Sequence, residues 1–162
     1  MFITDQKAVL GLPLFLTVAT FIASIILTIF ICSLINIQRD SQKNQIEYQI
    51  DQIVAEAKNM YEYADDGSLI HKRVEFPGSM KMLVFGALPT QDESISPNST
   101  IDENTSNNYY YIMDNEEIFT FHSSVRFSSE NTTKIAVLYP GSYDITIELQ
   151  TQDGKTYVTI YT

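Results

Sequence analysis

The sequence predicts an α+β protein: a long N-terminal helix, apolar in its first half, whose C-terminal half packs on an antiparallel β-sheet domain. Three observations predict it. Thirty residues from Ala8 to Ile37 carry no formal charge, and ~20 apolar helical residues suffice to cross a bilayer. Beyond Arg39, the residues Ile46, Ile50, Ile53, Ala57 and Met60 recur at steps of four and three, the spacing of a single helix face. After Asp65-Asp66-Gly67 the chain breaks into short segments rich in Val, Ile, Tyr and Phe, punctuated by turn dipeptides. That is the pattern of antiparallel strands.

Size and charge narrow the function. Of 162 residues, about 60 belong to the helix, which leaves about 100 for one small domain. The net charge is −10, and beyond Tyr63 fourteen Asp/Glu face six Lys/Arg. Such a surface repels phosphate, so nucleic acid is not the expected partner. The single cysteine, Cys32, lies inside the apolar run. An intrachain disulfide and a Cys-based metal site are both excluded, and interior packing is its expected role.

The elements follow in chain order. The first seven residues, MFITDQK, read as a leader. An ordinary secretory signal has an apolar core of ~7–15 residues closed by a small-residue cleavage site. Here the core is about twice as long and runs into Asn36-Ile37-Gln38-Arg39 without such a site, while the polar-to-apolar break falls at Lys7-Ala8. The helix is expected over residues 8–64, with the membrane span at about 12–35. Pro13 is tolerated only near a helix start, so regular helix, or a kink, is expected from about Leu12. Thr17, Thr20, Ser24 and Thr28 are three or four apart and share a face. A small, hydroxylated face lets helices approach closely in an apolar medium; alternatively, each hydroxyl bonds its own backbone, as in any membrane helix. Glu47 with Asp51, and Glu56 with Lys58, lie on the solvated sides. Tyr63 ends the helix, with Gly67 in the terminating turn.

Residues 65–162 form the expected β domain, of about six or seven strands. Ser68–Phe76 ends at Pro77-Gly78, and Met80–Leu88 follows as a strongly apolar strand. Pro89–Asn108 has no periodicity and reads as a long exposed loop. Tyr109–Met113 resumes a strand, Asp114-Asn115 turns, and Ile118–Phe127 alternates Ile118, Thr120 and His122 against Phe119, Phe121 and Ser123. After a loop at Ser128–Thr133, Lys134–Tyr139 is a strand ended by Pro140-Gly141. The last hairpin can be registered from its turn, Asp153-Gly154. Pairing across it sets Thr151 opposite Thr156, Leu149 opposite Val158 and Ile147 opposite Ile160, with the apolar residues on one face.

Catalytic chemistry finds no motif. His71 and His122 sit in strand patterns about fifty residues apart, with no convergent partners in sequence. Ser123-Ser124 lacks a nucleophile elbow, phosphate loops are missing, and the Asp65-Asp66 and Glu116-Glu117 pairs lie in turns where carboxylates are solvated. The reading is a protein that is not an enzyme, with no catalytic residues, no metal ligands and no cofactor. Three N-glycosylation sequons begin at Asn98, Asn104 and Asn131; all fall in expected loops, as surface glycans require, and favour an extracytoplasmic domain.

Asp5-Gln6-Lys7 followed by Ala8-Val9-Leu10-Gly11 resembles the class III signal of archaeal type IV pilins, in which a short charged leader ends in Lys or Arg and a small residue opens the mature helix. The resemblance implies a type IV pilin-like fold and cleavage by a prepilin peptidase between Lys7 and Ala8. It also implies a single-pass precursor with its N terminus in the cytoplasm and its C-terminal domain outside, and assembly with copies of itself or related pilins through the N-terminal helix into a surface filament that serves adhesion. Leu12 stands at the fifth mature position, where bacterial pilins carry Glu; archaeal pilins commonly lack that Glu. Three other readings compete: a membrane-anchored extracellular binding module that never polymerises, a minor pilin or pseudopilin of a secretion-type machine, and an accessory subunit of a membrane complex.

Overall fold

A computed structural model describes residues 6–90, 99–130 and 132–162, with side chains from Pro13 onward. Among the described residues one helix, α1, spans Gln6–Tyr63 and contains Pro13. Eight strands follow: β1 (Leu69–Phe76), β2 (Met80–Phe85), β3 (Asn108–Met113), β4 (Ile118–His122), β5 (Phe127–Ser128), β6 (Ala136–Leu138), β7 (Gly141–Gln152) and β8 (Lys155–Tyr161). The chain divides into two compact units, Met1–Ser41 and Gln42–Thr162.

The described residues of the first unit are helix. Its side chains from Pro13 through Ser41 are exposed, including large apolar groups such as Phe15, Phe21, Ile26 and Phe30. Cys32 is exposed among them. Its expected place in an interior is therefore not met within this unit, because one helix has no second element to cover that face. Residues at Pro13 and beyond form the segment long and apolar enough to cross a membrane, with mean hydropathy 2.6 and none of that window buried.

The second unit contains two sheets rather than one. The first has the order β1-β7-β8-β5 and the second β4-β3-β2-β6. The expected single sheet of six or seven strands is thus corrected to two sheets of four. Most pairs are antiparallel, but β5 runs parallel to β8, with Phe127 beside Val158 and Ser128 beside Thr159. Local alternation marks where strands are and which face is apolar; it carries no information on which distant strand lies alongside.

The helical stripe lands as its spacing requires. Ile46, Ile50, Ile53, Ala57 and Met60 are all buried, joined by Val54, and they share one core with Leu83, Phe85, Tyr109, Tyr111, Phe127, Ile145, Ile147, Val158 and Ile160. From Met82 on, strand β2 reads as an apolar run because both its faces are covered: Leu83 and Phe85 enter the main core, while Met82 and Val84 pack with Tyr110, Ile112 and Ile135 in a second cluster. The β7–β8 hairpin has the register set by Asp153-Gly154, with Thr151 opposite Thr156, Leu149 opposite Val158 and Ile147 opposite Ile160. Asp153 and Gly154 both adopt positive φ, 52° and 75°, as a two-residue hairpin turn demands.

Two expected boundaries shift. The strand anticipated over Ile118–Phe127 stops at His122 and resumes as β5. The Ser123 hydroxyl accepts the Val125 N–H at 3.2 Å, a local bond that takes the place of a ladder bond and turns the chain. The tract before β3 is also less open than its polarity suggests: Thr100 bridges Lys134, Ile101 packs on the second cluster and Ser106 is fully buried. Residues 91–98 of that tract lie outside the described residues.

Candidate functional site

Two surfaces stand out, one in each unit. On the helix of the first, every hydroxyl of the Thr17, Thr20, Ser24 and Thr28 face donates to its own backbone. Thr17 reaches the Pro13 carbonyl at 2.8 Å, Thr20 the carbonyls of Leu16 at 3.0 Å and Thr17 at 2.9 Å, Ser24 that of Phe21 at 2.7 Å, and Thr28 that of Ser24 at 2.8 Å. Ser33 does the same to Ile29 at 3.0 Å. Such bonds satisfy the polar groups within the helix itself, so the surface outside it is apolar with a strip of small side chains. The peptide bond between Lys7 and Ala8 lies within the first turns of α1.

The second surface is an aromatic row flanked by charge, built by helix, β3 and β4. Alternation on β3 sends Tyr109 and Tyr111 to the core side, and the antiparallel register sets Phe121 and Phe119 opposite them. The rings stack: Tyr109 on Phe121 at 5.3 Å between centroids and Tyr111 on Phe119 at 4.8 Å. Phe85 and Phe127 extend the row inward. One helical turn separates Lys43 from Glu47, and the two charges are 3.9 Å apart. The Lys43 ammonium sits 4.1 Å over the Phe119 ring, a cation–π contact, and Glu47 accepts the Tyr111 hydroxyl at 3.0 Å. Beside them Glu47, Ile50, Asp51, Tyr109 and Phe121 line a shallow cleft of about 80 Å³. Burial, and secondarily the Glu47 carboxylate, raise the Tyr111 hydroxyl well above its ordinary value; burial and then Asp51 raise that of Tyr109.

Among the described residues no His, Cys, Asp and Glu group is placed to hold a metal ion. His71 Nδ1 lies 3.0 Å from the Thr146 hydroxyl, and His122 Nδ1 lies 3.1 Å from the Asn108 carboxamide oxygen. Each ring serves its neighbouring strand, and the two are not brought together. Of the three sequon asparagines, Asn104 is exposed in a turn where the Asp102 carboxylate accepts both its backbone N–H, at 3.0 Å, and its side-chain amide, at 3.3 Å. The Ser106 hydroxyl of the same sequon is buried and donates to the Glu103 carbonyl at 2.9 Å. Asn98 and Asn131 lie outside the described residues.

Comparison with protein-family models, with characterised proteins and with solved structures finds no match to this chain.

Helical spacing places Glu47 on a solvated side, yet the folded chain sets it beneath the aromatic row. Part of that arrangement has a sequence signal, the two-residue period shared by Tyr109, Tyr111, Phe119 and Phe121, which marks aromatics on one sheet face. The pairing of β3 with the helix has none, because it is a contact across sixty-four positions.

Proposed function

We propose that this chain is a non-enzymatic type IV pilin-like structural subunit of an archaeal surface filament, held in the membrane as a precursor with its N terminus in the cytoplasm and its β domain outside. A prepilin peptidase would cut between Lys7 and Ala8. The apolar helix would then exchange lipid for the helices of other copies, and the acidic domain would remain solvated as the adhesive surface. One observation carries the reading: the apolar helical surface from Pro13 to Ile37 is exposed, while the second unit completes its core with helix residues from Ile46 onward. A helix not needed for its own domain's core, yet uniformly apolar, requires an outside partner, and lipid and like helices both qualify.

A second reading rests on the inward-bonded hydroxyls. A helix whose Thr17, Thr20, Ser24, Thr28 and Ser33 hydroxyls are satisfied by its own carbonyls is at ease in lipid with no protein neighbour, as an anchored binding module would be. N-terminal sequencing of the protein recovered from native membranes and from sheared surface material separates the two. A mature end at Ala8 supports the pilin-like subunit. An intact Met1 or Phe2 end removes it and leaves the anchored module.

A further inference from the structure

The sequence contains two Asp-Gly pairs, Asp66-Gly67 and Asp153-Gly154. In such a pair no side chain shields the glycine nitrogen, which can close a five-membered ring on the aspartate side-chain carbon. Both glycines have positive φ, 82° and 75°, and both pairs lie in turns, yet the fold holds them differently. Asp66-Gly67 is fastened to β7 at both reacting groups. The Asp66 carboxylate accepts the Thr151 N–H at 2.6 Å, and the Gly67 N–H donates to the Leu149 carbonyl at 2.7 Å. The Leu149 N–H in turn donates to the Ser68 carbonyl at 2.9 Å. Leu149 is buried in the main core, so freeing this pair breaks bonds around a core residue.

Asp153-Gly154 has no such fastening. It is the two-residue tip of the β7–β8 hairpin, whose ladder ends at Gln152 and Lys155, so the Gly154 N–H lies beyond the ladder. Both residues are exposed, and among the described residues the Asp153 carboxylate has no hydrogen-bond or ion-pair partner. A Cβ added at Gly154 would meet nothing within 4 Å, so a ring has room. The last two pairs, Gln152 with Lys155 and Thr151 with Thr156, are exposed or half-buried. The tip can therefore fray without disturbing the buried pair of Leu149 and Val158. Lys155 is tied to Glu103 by an exposed ion pair, a contact of the kind that contributes little.

We propose that Asp153-Gly154 is a site of spontaneous aspartate isomerisation in the folded protein, and that Asp66-Gly67 is protected from it. When the tip frays, the Gly154 nitrogen bonds to Asp153 Cγ while the C–O bond of the protonated carboxyl breaks. The amide proton and the departing hydroxyl leave as water, and a cyclic imide remains. One water then adds back. Opening at the Asp153 main-chain carbonyl routes the chain through Cβ and Cγ, which is isoaspartate. The mass is unchanged, and the reaction uses only water, with no oxidant or reductant. The main chain gains one methylene where two consecutive positive-φ residues had closed the turn. The pairing of Gln152 with Lys155 is lost, while the pairs of Leu149 with Val158 and Ile147 with Ile160 hold the rest of the hairpin. The reaction involves the β domain alone and does not depend on whether the leader is cut.

Ageing the full-length protein in detergent at neutral pH for several weeks tests the proposal. Isoaspartate is detected by methyl transfer with an isoaspartate-specific methyltransferase, and each site is assigned by electron-transfer fragmentation of its peptide. A parallel sample in guanidinium chloride frees both pairs from the fold. Dividing each rate in folded protein by its rate in denaturant removes any difference that flanking residues impose. The normalised rate at Asp153 should exceed that at Asp66 by roughly tenfold or more, the ratio expected when one site reacts through local fraying and the other needs a larger opening. Equal normalised rates, a faster rate at Asp66, or no conversion at Asp153 in the folded protein overturns the proposal. These outcomes are independent of the N-terminal sequence, so this inference and the pilin-like reading can fail separately.

Discussion

The Tyr111 hydroxyl donates to the Glu47 carboxylate at 3.0 Å, tying the interior of the second sheet to the helix. Tyr111 is fully buried, whereas Glu47 is partly exposed, so the bond joins a desolvated donor to a hydrated acceptor. Tyr111→Phe should cost about 1 kcal/mol, the range of a single hydrogen bond. Tyr111→Ala should cost about 3–5 kcal/mol, because it also empties core volume. Urea unfolding of the two variants separates the bond from the packing.

Alkaline pH should destabilise the domain. Burial pushes the hydroxyls of Tyr110 and Tyr143 up to about 12, and Tyr111 is raised further. A group whose folded value exceeds its unfolded value of about 10 holds its proton more tightly when folded. Its contribution is fully present below pH ~10 and is lost as pH rises toward the folded value. Unfolding midpoints should therefore be flat across neutral pH and fall between about pH 10 and 12.

Tyr110 allows a sharper test. Its hydroxyl is buried with no hydrogen-bond partner among the described residues, and such a group costs desolvation that its removal restores. Tyr110→Phe should be neutral or stabilising by up to about 1 kcal/mol, and should make the alkaline decline shallower. Parallel urea titrations at neutral and alkaline pH measure both effects.

Two glycines with positive φ should behave differently. Gly86 has φ +89°, and an added Cβ would lie 2.7 Å from the Phe127 carbonyl oxygen, where β2 meets β5. Gly154 has φ +75° with open space around it. Gly86→Ala should cost roughly 3 kcal/mol or more, from strain and clash together. Gly154→Ala should cost about 1 kcal/mol, from the backbone alone. Thermal melts rank the two.

Helix substitutions should divide at the boundary between the units. Ile53 is fully buried in the main core, so Ile53→Ala should cost about 2–5 kcal/mol. Ile22 is 52% exposed, and Ile22→Ala should shift the unfolding of the β domain by less than about 0.5 kcal/mol. Calorimetry of both variants in one detergent makes the comparison.

Elements with a strong local signal are legible in the sequence. The stripe from Ile46 to Met60 and the hairpin at Asp153-Gly154 each combine period with an end signal, and both have the faces or register expected of them. The break after His122 is not legible, because a single Ser123–Val125 bond diverts a chain whose apolar pattern runs on. The aromatic row and its Glu47 anchor are not legible either, since each ring's neighbour lies on another strand or on the helix.

Local sequence dictates the kind of each segment: an apolar helix able to span a bilayer, an amphipathic continuation, and strands with one apolar face. Those properties arise from side chains a few positions apart, whose spacing is set by covalent geometry. Other features belong to the folded chain alone. The strands form two sheets, β5 runs parallel to β8, and Tyr111 meets Glu47. These depend on contacts between residues far apart in the chain, where many pairings satisfy the same local pattern and only the simultaneous packing of helix and sheets selects one.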